Sequence, residues 1–315
     1  MLTQTDFWKL ESEDSLLKLN DDFLQEGNTS QVEELLLRGE RWYENVMKHS
    51  ENIPVKEYQP EHIENVPEGI RRIIELDVLR TLKSEEYKAP LRVLLTQLWK
   101  DFGDYAQAMC LVAAFLRLVL SENKVYKIMT VLNHSNFYIP GYWKAEAVGY
   151  ASDTYSAIAI AREISPEVVN KITRTQPYPE TFCQKFFNAI GIHVFPFEIE
   201  FDIMEQFLTG GRVFLFQLIT SVMDVQKEQF LNNNEVNIMF NLLGLEKEVT
   251  SRETLRRICD EAKNYDKVLE HDIVAMRNEM YEKHLRAKLE KQKRAKEEED
   301  SDDIIDCPST DDEDE

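Results

Sequence analysis

Residues 74–80 read Ile-Glu-Leu-Asp-Val-Leu-Arg, and residues 105–107 read Tyr-Ala-Gln. The first stretch falls in a segment that we expect to be helical from about residue 68 to residue 82. The second opens a long apolar segment that we also expect to be helical. On such a helix Tyr105 and Gln107 would lie about 200° apart. Because Tyr105 continues a buried apolar stripe, Gln107 should point elsewhere, into a groove.

The rest of the chain has the same helical character. Glycine and proline number only ten each among 315 residues, against typical usage of roughly 7% and 5%. No stretch shows sustained period-two alternation of β-branched residues, so we predict an all-α fold without a sheet. Helices are expected at about 31–48, 68–82, 90–100 and 105–121, followed by several short helices over 122–175, three or more over 178–245, and one or two long helices over 253–296.

Breaks in this pattern divide the chain into four predicted parts. A helical N-terminal extension (1–30) precedes the main domain (31–245). C-terminal helices (246–296) follow, and an acidic tail (297–315) with almost no apolar residues is expected to be disordered. In the C-terminal helices, apolar residues recur at three- and four-residue steps and predict one apolar stripe, formed by Ala262, Tyr265, Leu269, Ile273, Met276 and Met280.

The charge distribution excludes several classes of function. The net charge is −21, and residues 296–315 carry −11 of it, with twelve acids and one lysine. Such an acidic chain is not expected to bind nucleic acid, or to bind anionic lipid tightly through its own surface. The longest apolar run is interrupted by Gln107 and Arg117 and is too short to span a bilayer. We therefore expect no integral membrane segment.

The sequence indicates neither a metal site nor a nucleotide site. The cysteines are far apart and form no Cys-x-x-Cys pair, and the six histidines are dispersed. This cysteine usage favours a reducing compartment, and the polar N-terminus is not a signal peptide, so we expect a cytoplasmic protein. No glycine-rich phosphate-binding motif occurs. The chain should therefore not bind a nucleotide by itself.

A third constellation, Arg38-Gly-Glu-Arg-Trp42, precedes the two quoted above. Taken singly, each of the three has an ordinary structural explanation. Arg38 and Trp42 would form a stacking pair on a helix. Asp77 and Arg80 would form a surface ion pair, and Tyr105 would be a core aromatic. Short motifs also match by chance, so a helical interaction protein with accidental matches is one alternative.

Together, and in this order, the three constellations resemble the TBC family of Rab GTPase-activating proteins. That family carries RxxxW, IxxDxxR and YxQ motifs, which stand here as Arg38/Trp42, Ile74/Asp77/Arg80 and Tyr105/Gln107. Further stretches that are similar to later parts of the family lie at residues 138–142, 195–198, 207–211 and 214–217. The resemblance covers about residues 31–245 and implies a multi-helix TBC domain there, with the C-terminal helices as an extension.

The resemblance implies that the chain accelerates GTP hydrolysis on a Rab-type small GTPase. By this likeness Arg80 is an arginine finger that stabilises charge on the transferring phosphoryl group, and Gln107 is a glutamine finger that orients the attacking water. Asp77 would hold the Arg80 guanidinium in place. GTP and Mg²⁺ would belong to the partner, so no cofactor is expected on this chain. The supporting or GTPase-binding residues that the resemblance implies are Asp77, Tyr105, Arg38, Trp42 and Ile74.

The chain departs from the family pattern beside both fingers. The family usually has glycine after the glutamine and often cysteine before it, where this chain has Ala108 and Ala106. A methyl group at position 108 could restrict close approach of a partner backbone. The family commonly continues its arginine motif as Arg-Thr-Phe-Pro, where this chain has Leu82-Lys83 after Arg80-Thr81. The tryptophan-aspartate pair often seen in a later helix is absent, with Ile203-Met-Glu205 in that neighbourhood.

These departures raise a second functional hypothesis. The chain would then be a catalytically weak TBC-fold adaptor or Rab effector that binds a GTPase without activating hydrolysis. Both hypotheses lead us to expect a cytoplasmic protein of vesicle trafficking, with at most peripheral recruitment to endomembranes through its partner.

Overall fold

The computed structural model describes residues 29–82, 85–144, 148–291 and 293–294. Within these ranges the chain is helical and contains no β-strand, which confirms the predicted all-α class. The acidic tail and residues 1–28 of the predicted N-terminal extension lie outside the described residues. Among the described helices, none combines the length and the apolar composition needed to cross a lipid bilayer.

The α-helices are numbered in chain order. The first group comprises α1 (Thr29–Met47), α2 (Glu68–Thr81), α3 (Glu85–Phe102), α4 (Gln107–Leu116) and α5 (Glu122–His134). The second group comprises α6 (Val148–Ile164), α7 (Pro166–Thr175), α8 (Pro179–Phe187), α9 (Phe197–Gly210) and α10 (Arg212–Val225). The last group comprises α11 (Lys227–Asn232), α12 (Val236–Leu243), α13 (Arg252–Ala262) and α14 (Ile273–Met280). Short 3₁₀ turns at Ile63–Asn65 and Asp266–Glu270 and a π-turn at Tyr281–Leu285 complete the described elements.

Helix α4 is buried along nearly its whole length because its sequence is almost entirely apolar. Every residue from Ala108 to Leu116 is buried, and the helix packs against α2, α3 and α5. The predicted helix over 105–121 was too long at both ends. Arg117 donates to the carbonyl oxygen of Tyr87 just after α4 ends, and Ser121, in extended backbone, precedes α5. The break between α4 and α5 therefore coincides with the tertiary contact of Arg117, and the apolar pattern of the sequence does not reveal this break.

Helix α3 begins earlier than the sequence pattern indicated. We predicted a start near Pro90, because proline is favoured in the first turn of a helix. The structure begins α3 at Glu85 and places Pro90 inside the helix. Two glutamates in the first turn, Glu85 and Glu86, fit the positive end of the helix dipole. Both glutamates favour this N-terminal extension of about one turn before the proline.

The C-terminal stripe predicted on one helix face was wrong at Leu269. The chain leaves α13 after Ala262, forms a 3₁₀ turn and restarts at α14, where Oδ1 of Asp272 accepts hydrogen bonds from two backbone N–H groups at 3.0 Å. This break changes the helical phase. Leu269 is consequently 62% exposed, and its neighbour Val268 is buried in its place.

The helices after residue 245 share the core of the preceding domain. Leu255, Ile258 and Val268 belong to the same buried apolar cluster as α4. The Ser221 hydroxyl on α10 donates to the Ile258 carbonyl oxygen at 2.7 Å, and Arg277 on α14 pairs with the fully buried Asp153 on α6. The division at residue 245 stays a prediction, but apolar packing and buried hydrogen bonds run across it.

Candidate functional site

Helix α2 separates its buried and exposed side chains in a way that leaves Arg80 in solvent. Its buried residues are Ile74, Asp77, Val78 and Thr81. Ile74 and Val78 are one turn apart and are completely covered, so they fix the helix against the core. Arg80 lies in the last turn and is exposed. The helix ends at Leu82, whose backbone is extended.

Gln107 is the first residue of α4 and is the exposed end of an otherwise buried helix. The residue before it, Ala106, is extended (φ −130°, ψ 145°), so Tyr105 lies outside the helix. The helical-wheel argument for Tyr105 was therefore wrong in its geometry. The separation of the two side chains nevertheless holds, because Tyr105 is 9% exposed and Gln107 is exposed. Gln107 also stands at the positive end of the α4 dipole, where an anion would be favoured.

A buried hydrogen bond links the two segments that carry Arg80 and Gln107. The Tyr105 hydroxyl donates to Oδ2 of Asp77 at 3.0 Å. Burial raises the pKa of Asp77 above its ordinary value, while the Tyr105 hydrogen bond and the positive charge of Arg80 act in the opposite direction. Burial, followed by nearby groups that include Asp77, raises the pKa of Tyr105 far above its usual range, so its hydroxyl keeps its proton.

A second contact between α2 and α4 was not anticipated from the sequence. The Cys110 thiol donates to the Thr81 hydroxyl oxygen at 3.4 Å, and that hydroxyl donates to the Asp77 carbonyl oxygen at 2.7 Å. Burial raises the pKa of Cys110 to about 12, so the thiol stays protonated and can donate. The last turn of α2 is thus joined at two points to the N-terminal end of α4, once through Tyr105 just before the helix and once through Cys110 within it. The one feature of the sequence that could have suggested this contact is that Thr81 directly follows Arg80.

Arg80 itself has no ion pair within the part of the chain that the structure describes. Among the described residues, none of the ion pairs includes its guanidinium, although we expected Asp77 to hold it. The physical reason is the orientation of the Asp77 carboxylate, which is 4% exposed and faces Tyr105 rather than solvent. The charge of Arg80 therefore acts on Asp77 at longer range.

Arg38 and Trp42 form a separate structural support between α1 and α9. Trp42 is 2% exposed and packs on Phe201 with ring centroids 5.4 Å apart. The Arg38 guanidinium lies 5.9 Å from the centre of the Trp42 ring and pairs with Asp202 at 2.6 Å and with Glu205. The supporting or GTPase-binding role that the resemblance implies for both residues stays a prediction.

Asp202 is a supporting residue that sequence reasoning missed. It accepts from Arg38 through one carboxylate oxygen and from Arg256 on α13 through the other, at 2.5 Å. The stretch that lacks the family's tryptophan-aspartate pair therefore still supplies carboxylates to Arg38. No local spacing could have indicated Arg256, because it lies 54 residues from Asp202.

Two further observations bear on the chemistry of the site. Ala108 is 8% exposed and belongs to the core, so its methyl group does not project toward a docking partner. Among the described residues, no group of three or more histidine, cysteine, aspartate or glutamate side chains is arranged to hold a metal ion. The exposed groups at the candidate site are an arginine and a glutamine, which can supply a positive charge and an amide.

Comparison with known proteins gives a consistent family. The profile of the family described as Rab-GTPase-TBC domain matches residues 25–231. A protein of Emericella nidulans with the provisional name GTPase-activating protein AN11010 is 25% identical over 167 residues, which make up 50% of this chain and 15% of that relative's own length.

Solved structures agree with this family at the level of the fold. The crystal structure of a Chlamydomonas flagellar RabGAP TBC domain superposes with a TM-score of 0.58 at 13% identity, covering 77% of this chain and 86% of that one. The TBC domain of Skywalker/TBC1D24 from Drosophila melanogaster superposes with a TM-score of 0.52 at 12% identity, covering 85% of this chain and 97% of that one. The profile match spans more than half of the chain, so the protein belongs to the Rab-GTPase-TBC domain family.

Proposed function

We propose that this chain accelerates GTP hydrolysis on a Rab-type small GTPase, with Arg80 as the arginine finger and Gln107 as the glutamine finger. The observation that carries the proposal is the pair of exposed side chains on two helix ends joined by the Tyr105–Asp77 hydrogen bond. GTP and Mg²⁺ would be supplied by the partner.

The chemistry requires positive charge at the transferring phosphoryl group. Negative charge spreads over the phosphoryl oxygens in the transition state, and an arginine inserted by an activating protein accelerates the reaction by about 10³–10⁵. An arginine engaged in a strong ion pair would first have to break it. Arg80 is exposed and has no such pair among the described residues, so its guanidinium can meet the phosphate without first breaking one.

Buried contacts between the two segments set the position of Gln107 relative to Arg80. An amide that orients the attacking water must stand within hydrogen-bond reach of it, and small displacements of catalytic groups cost large factors in rate. The Tyr105–Asp77 and Cys110–Thr81 contacts hold the segments of both fingers in one arrangement before a partner binds. The proposed role of Tyr105 and Asp77 is therefore to preorganise the site, without touching the nucleotide.

Single-turnover hydrolysis by a panel of purified, GTP-loaded Rab-type GTPases tests the proposal. The wild-type chain should accelerate at least one member, and Arg80→Ala should reduce that stimulation by about 10³-fold or more. Arg80→Lys should also be strongly impaired because lysine lacks the planar donor fork. Gln107→Ala should lower the maximal rate. Arg41→Ala is a matched control, since Arg41 is also exposed on a helix and has no ion pair among the described residues.

The proposal would be wrong if no Rab-type GTPase were stimulated, or if stimulation survived Arg80→Ala. Binding to a GTP-loaded GTPase without faster hydrolysis would instead indicate the adaptor or effector hypothesis, which the departure at Leu82-Lys83 motivates. The inward-facing methyl group of Ala108 removes one steric objection to catalysis. In either case we propose a role in vesicle trafficking in the cytoplasm, with recruitment to membranes through the GTPase.

A further inference from the structure

The exposed face of α2 carries an apolar surface between two arginines. Ile73, Leu76 and Leu79 are 46%, 40% and 52% exposed. Arg72 and Arg80 are separated by about 12 Å along the helix axis, and each projects about 40° to one side of Leu76. We call these residues together the α2 surface. It combines exposed aliphatic side chains, which are typical of an interaction site, with positive charge toward both ends.

The two arginines of the α2 surface are not neutralised by neighbouring side chains. Both are exposed, and within the described ranges no ion pair includes either of them. The acids of the same helix, Glu68 and Glu75, lie about 80° and 100° around the axis from Leu76, at the edge of this face. A complementary ligand would therefore present aliphatic side chains with negative charge on both sides.

The acidic tail of this chain contains a segment of that kind. Residues 302–306 read Asp-Asp-Ile-Ile-Asp. Ile304 and Ile305 are the only aliphatic residues of the tail, and acids stand directly before and after them. The α2 surface has the opposite charges around the same kind of apolar centre. Residues 302–306 therefore match it in both polarity and charge.

The connection to the described helices is long enough to reach much of the molecular surface. Arg294 is the last described residue, and an extended chain from there to Ile304 spans at most about 33–36 Å. A compact body of this size has a radius of gyration of about 18 Å. A tethered segment also has an effective concentration of about 1 mM for a short flexible connection, so even weak binding is effective within one molecule.

We propose that residues 302–306 dock on the α2 surface of the same molecule and cover Arg80. The regulatory consequence rests on the proposed function: a GTPase that needs Arg80 must first displace the tail. If the segment binds with a Kd of about 0.3 mM, an effective concentration of about 1 mM covers the surface in about three quarters of the molecules. Removal of this contact then raises the accessible fraction about fourfold.

Disulfide trapping in the full-length chain tests the docking without a GTPase. Cys307 directly follows the docking segment, and the other cysteines, Cys110, Cys183 and Cys259, are buried. Gly69→Cys places a second thiol on the exposed face of α2, about 20° around the axis from Leu76. A Cβ at position 69 meets no atom within 4 Å, so the substitution leaves the α2 surface intact. Leu231→Cys is the control, because Leu231 is exposed on α11, outside α2.

The chains are oxidised with copper phenanthroline at low protein concentration, and disulfides are identified by mass spectrometry. We expect an intramolecular disulfide with Cys307 to form at least tenfold faster in Gly69→Cys than in Leu231→Cys. Adding Ile304→Gln/Ile305→Gln to the Gly69→Cys variant should reduce the rate to that of the control. Equal rates in the two thiol variants, a rate that survives the loss of both isoleucines, or disulfides only between two molecules overturn the proposal.

A titration of stimulated hydrolysis tests the regulatory consequence. Single-turnover rates are measured with the GTPase that the wild type stimulates most, at increasing concentrations of the activating chain. Ile304→Gln/Ile305→Gln should lower the half-saturating concentration about fourfold and leave the maximal rate unchanged. The matched control Asp311→Asn/Asp312→Asn removes charge from the same tail outside residues 302–306, and we expect it to change the value by less than twofold.

An unchanged or increased half-saturating concentration in the isoleucine variant, or an equal fall in the control, overturns the autoinhibition while leaving the proposed function intact. If the wild type stimulates no GTPase, the proposed function fails. The disulfide experiment then still decides whether the tail docks on α2, because it requires no GTPase.

Discussion

Replacing Tyr105 with phenylalanine removes one hydroxyl group and keeps the aromatic ring in the core. The lost hydroxyl is the donor to Oδ2 of Asp77 at 3.0 Å, and Asp77 is 4% exposed, so water cannot easily replace the bond. Hydrogen bonds to charged groups contribute about 1.5–3 kcal/mol to stability. We expect the free energy of unfolding of Tyr105→Phe to fall by about this amount at neutral pH, measured by urea denaturation.

The same substitution should make stability more sensitive to pH. Burial raises the pKa of Asp77 above its ordinary 3.8, and the Tyr105 hydrogen bond lowers it, so loss of the bond raises the folded pKa further. A carboxyl group with a raised folded pKa destabilises the folded state progressively as pH increases from the unfolded pKa through the folded one. The stability difference between wild type and variant should therefore be small near pH 3.8 and largest at neutral pH.

The functional consequence follows from the position of the lost bond between the segments of Arg80 and Gln107. A displacement of about 1 Å in a catalytic group can cost roughly 10²-fold in rate. We expect Tyr105→Phe to lower the maximal rate of stimulated single-turnover hydrolysis by about ten- to a hundredfold. Tyr265→Phe is the matched control, because the Tyr265 hydroxyl donates to Asp224, also at 3.0 Å, outside α2 and α4. Full stimulation by Tyr105→Phe, or an equal loss in the control, would refute the reasoning.

Three further predictions concern stability and are measured by urea denaturation. Glu200 is buried, neither of its carboxylate oxygens has a hydrogen-bond partner among the described residues, and burial raises its pKa well above 4.5. Glu200→Gln should therefore be more stable than wild type at pH 7, with the advantage shrinking as pH falls toward 4.5. A pH-independent difference would contradict this. Arg277→Ala should destabilise by about 3 kcal/mol, because it leaves the fully buried Asp153 without its closest cation; a loss below about 1 kcal/mol would contradict it. Gly211→Ala should destabilise by more than about 1 kcal/mol, because its φ is +64° and a Cβ would lie 2.4 Å from the Phe137 carbonyl oxygen, whereas Gly69→Ala meets no atom within 4 Å and should be neutral or stabilising.

Local patterns were sufficient to predict the elements that carry the candidate site. Residues 68–82 have helical character in sequence, and α2 spans Glu68–Thr81. The division between a buried Tyr105 and an exposed Gln107 also follows from their residue types, although the predicted helix began too early. Such features depend on neighbours in the chain, and these are visible in a single sequence.

Two features could not be predicted from the apolar spacing in the same way. Leu269 continues the apolar spacing, but Asp272 caps a new helix and changes the phase, so Val268 is buried in its place. Asp202 receives two arginines from helices that lie far away in sequence. The Asp202 ion pairs join distant segments and leave no periodic signal, whereas the Asp272 cap is a local hydrogen bond whose change of helical phase the apolar spacing does not show.

The pairing of Arg277 with Asp153 also determines how far the chain can be shortened. The family profile ends at residue 231, which would suggest a natural cutting point for a minimal domain. A chain cut there would lose α14, leave Asp153 without the Arg277 charge and expose the α10 surface that α13 covers. A fragment whose buried Asp153 keeps only the more distant Arg212, at 3.7 Å, and whose apolar face is uncovered is expected to aggregate during expression. The smallest form suited to crystallisation or binding studies should therefore extend through the π-turn that ends at Leu285.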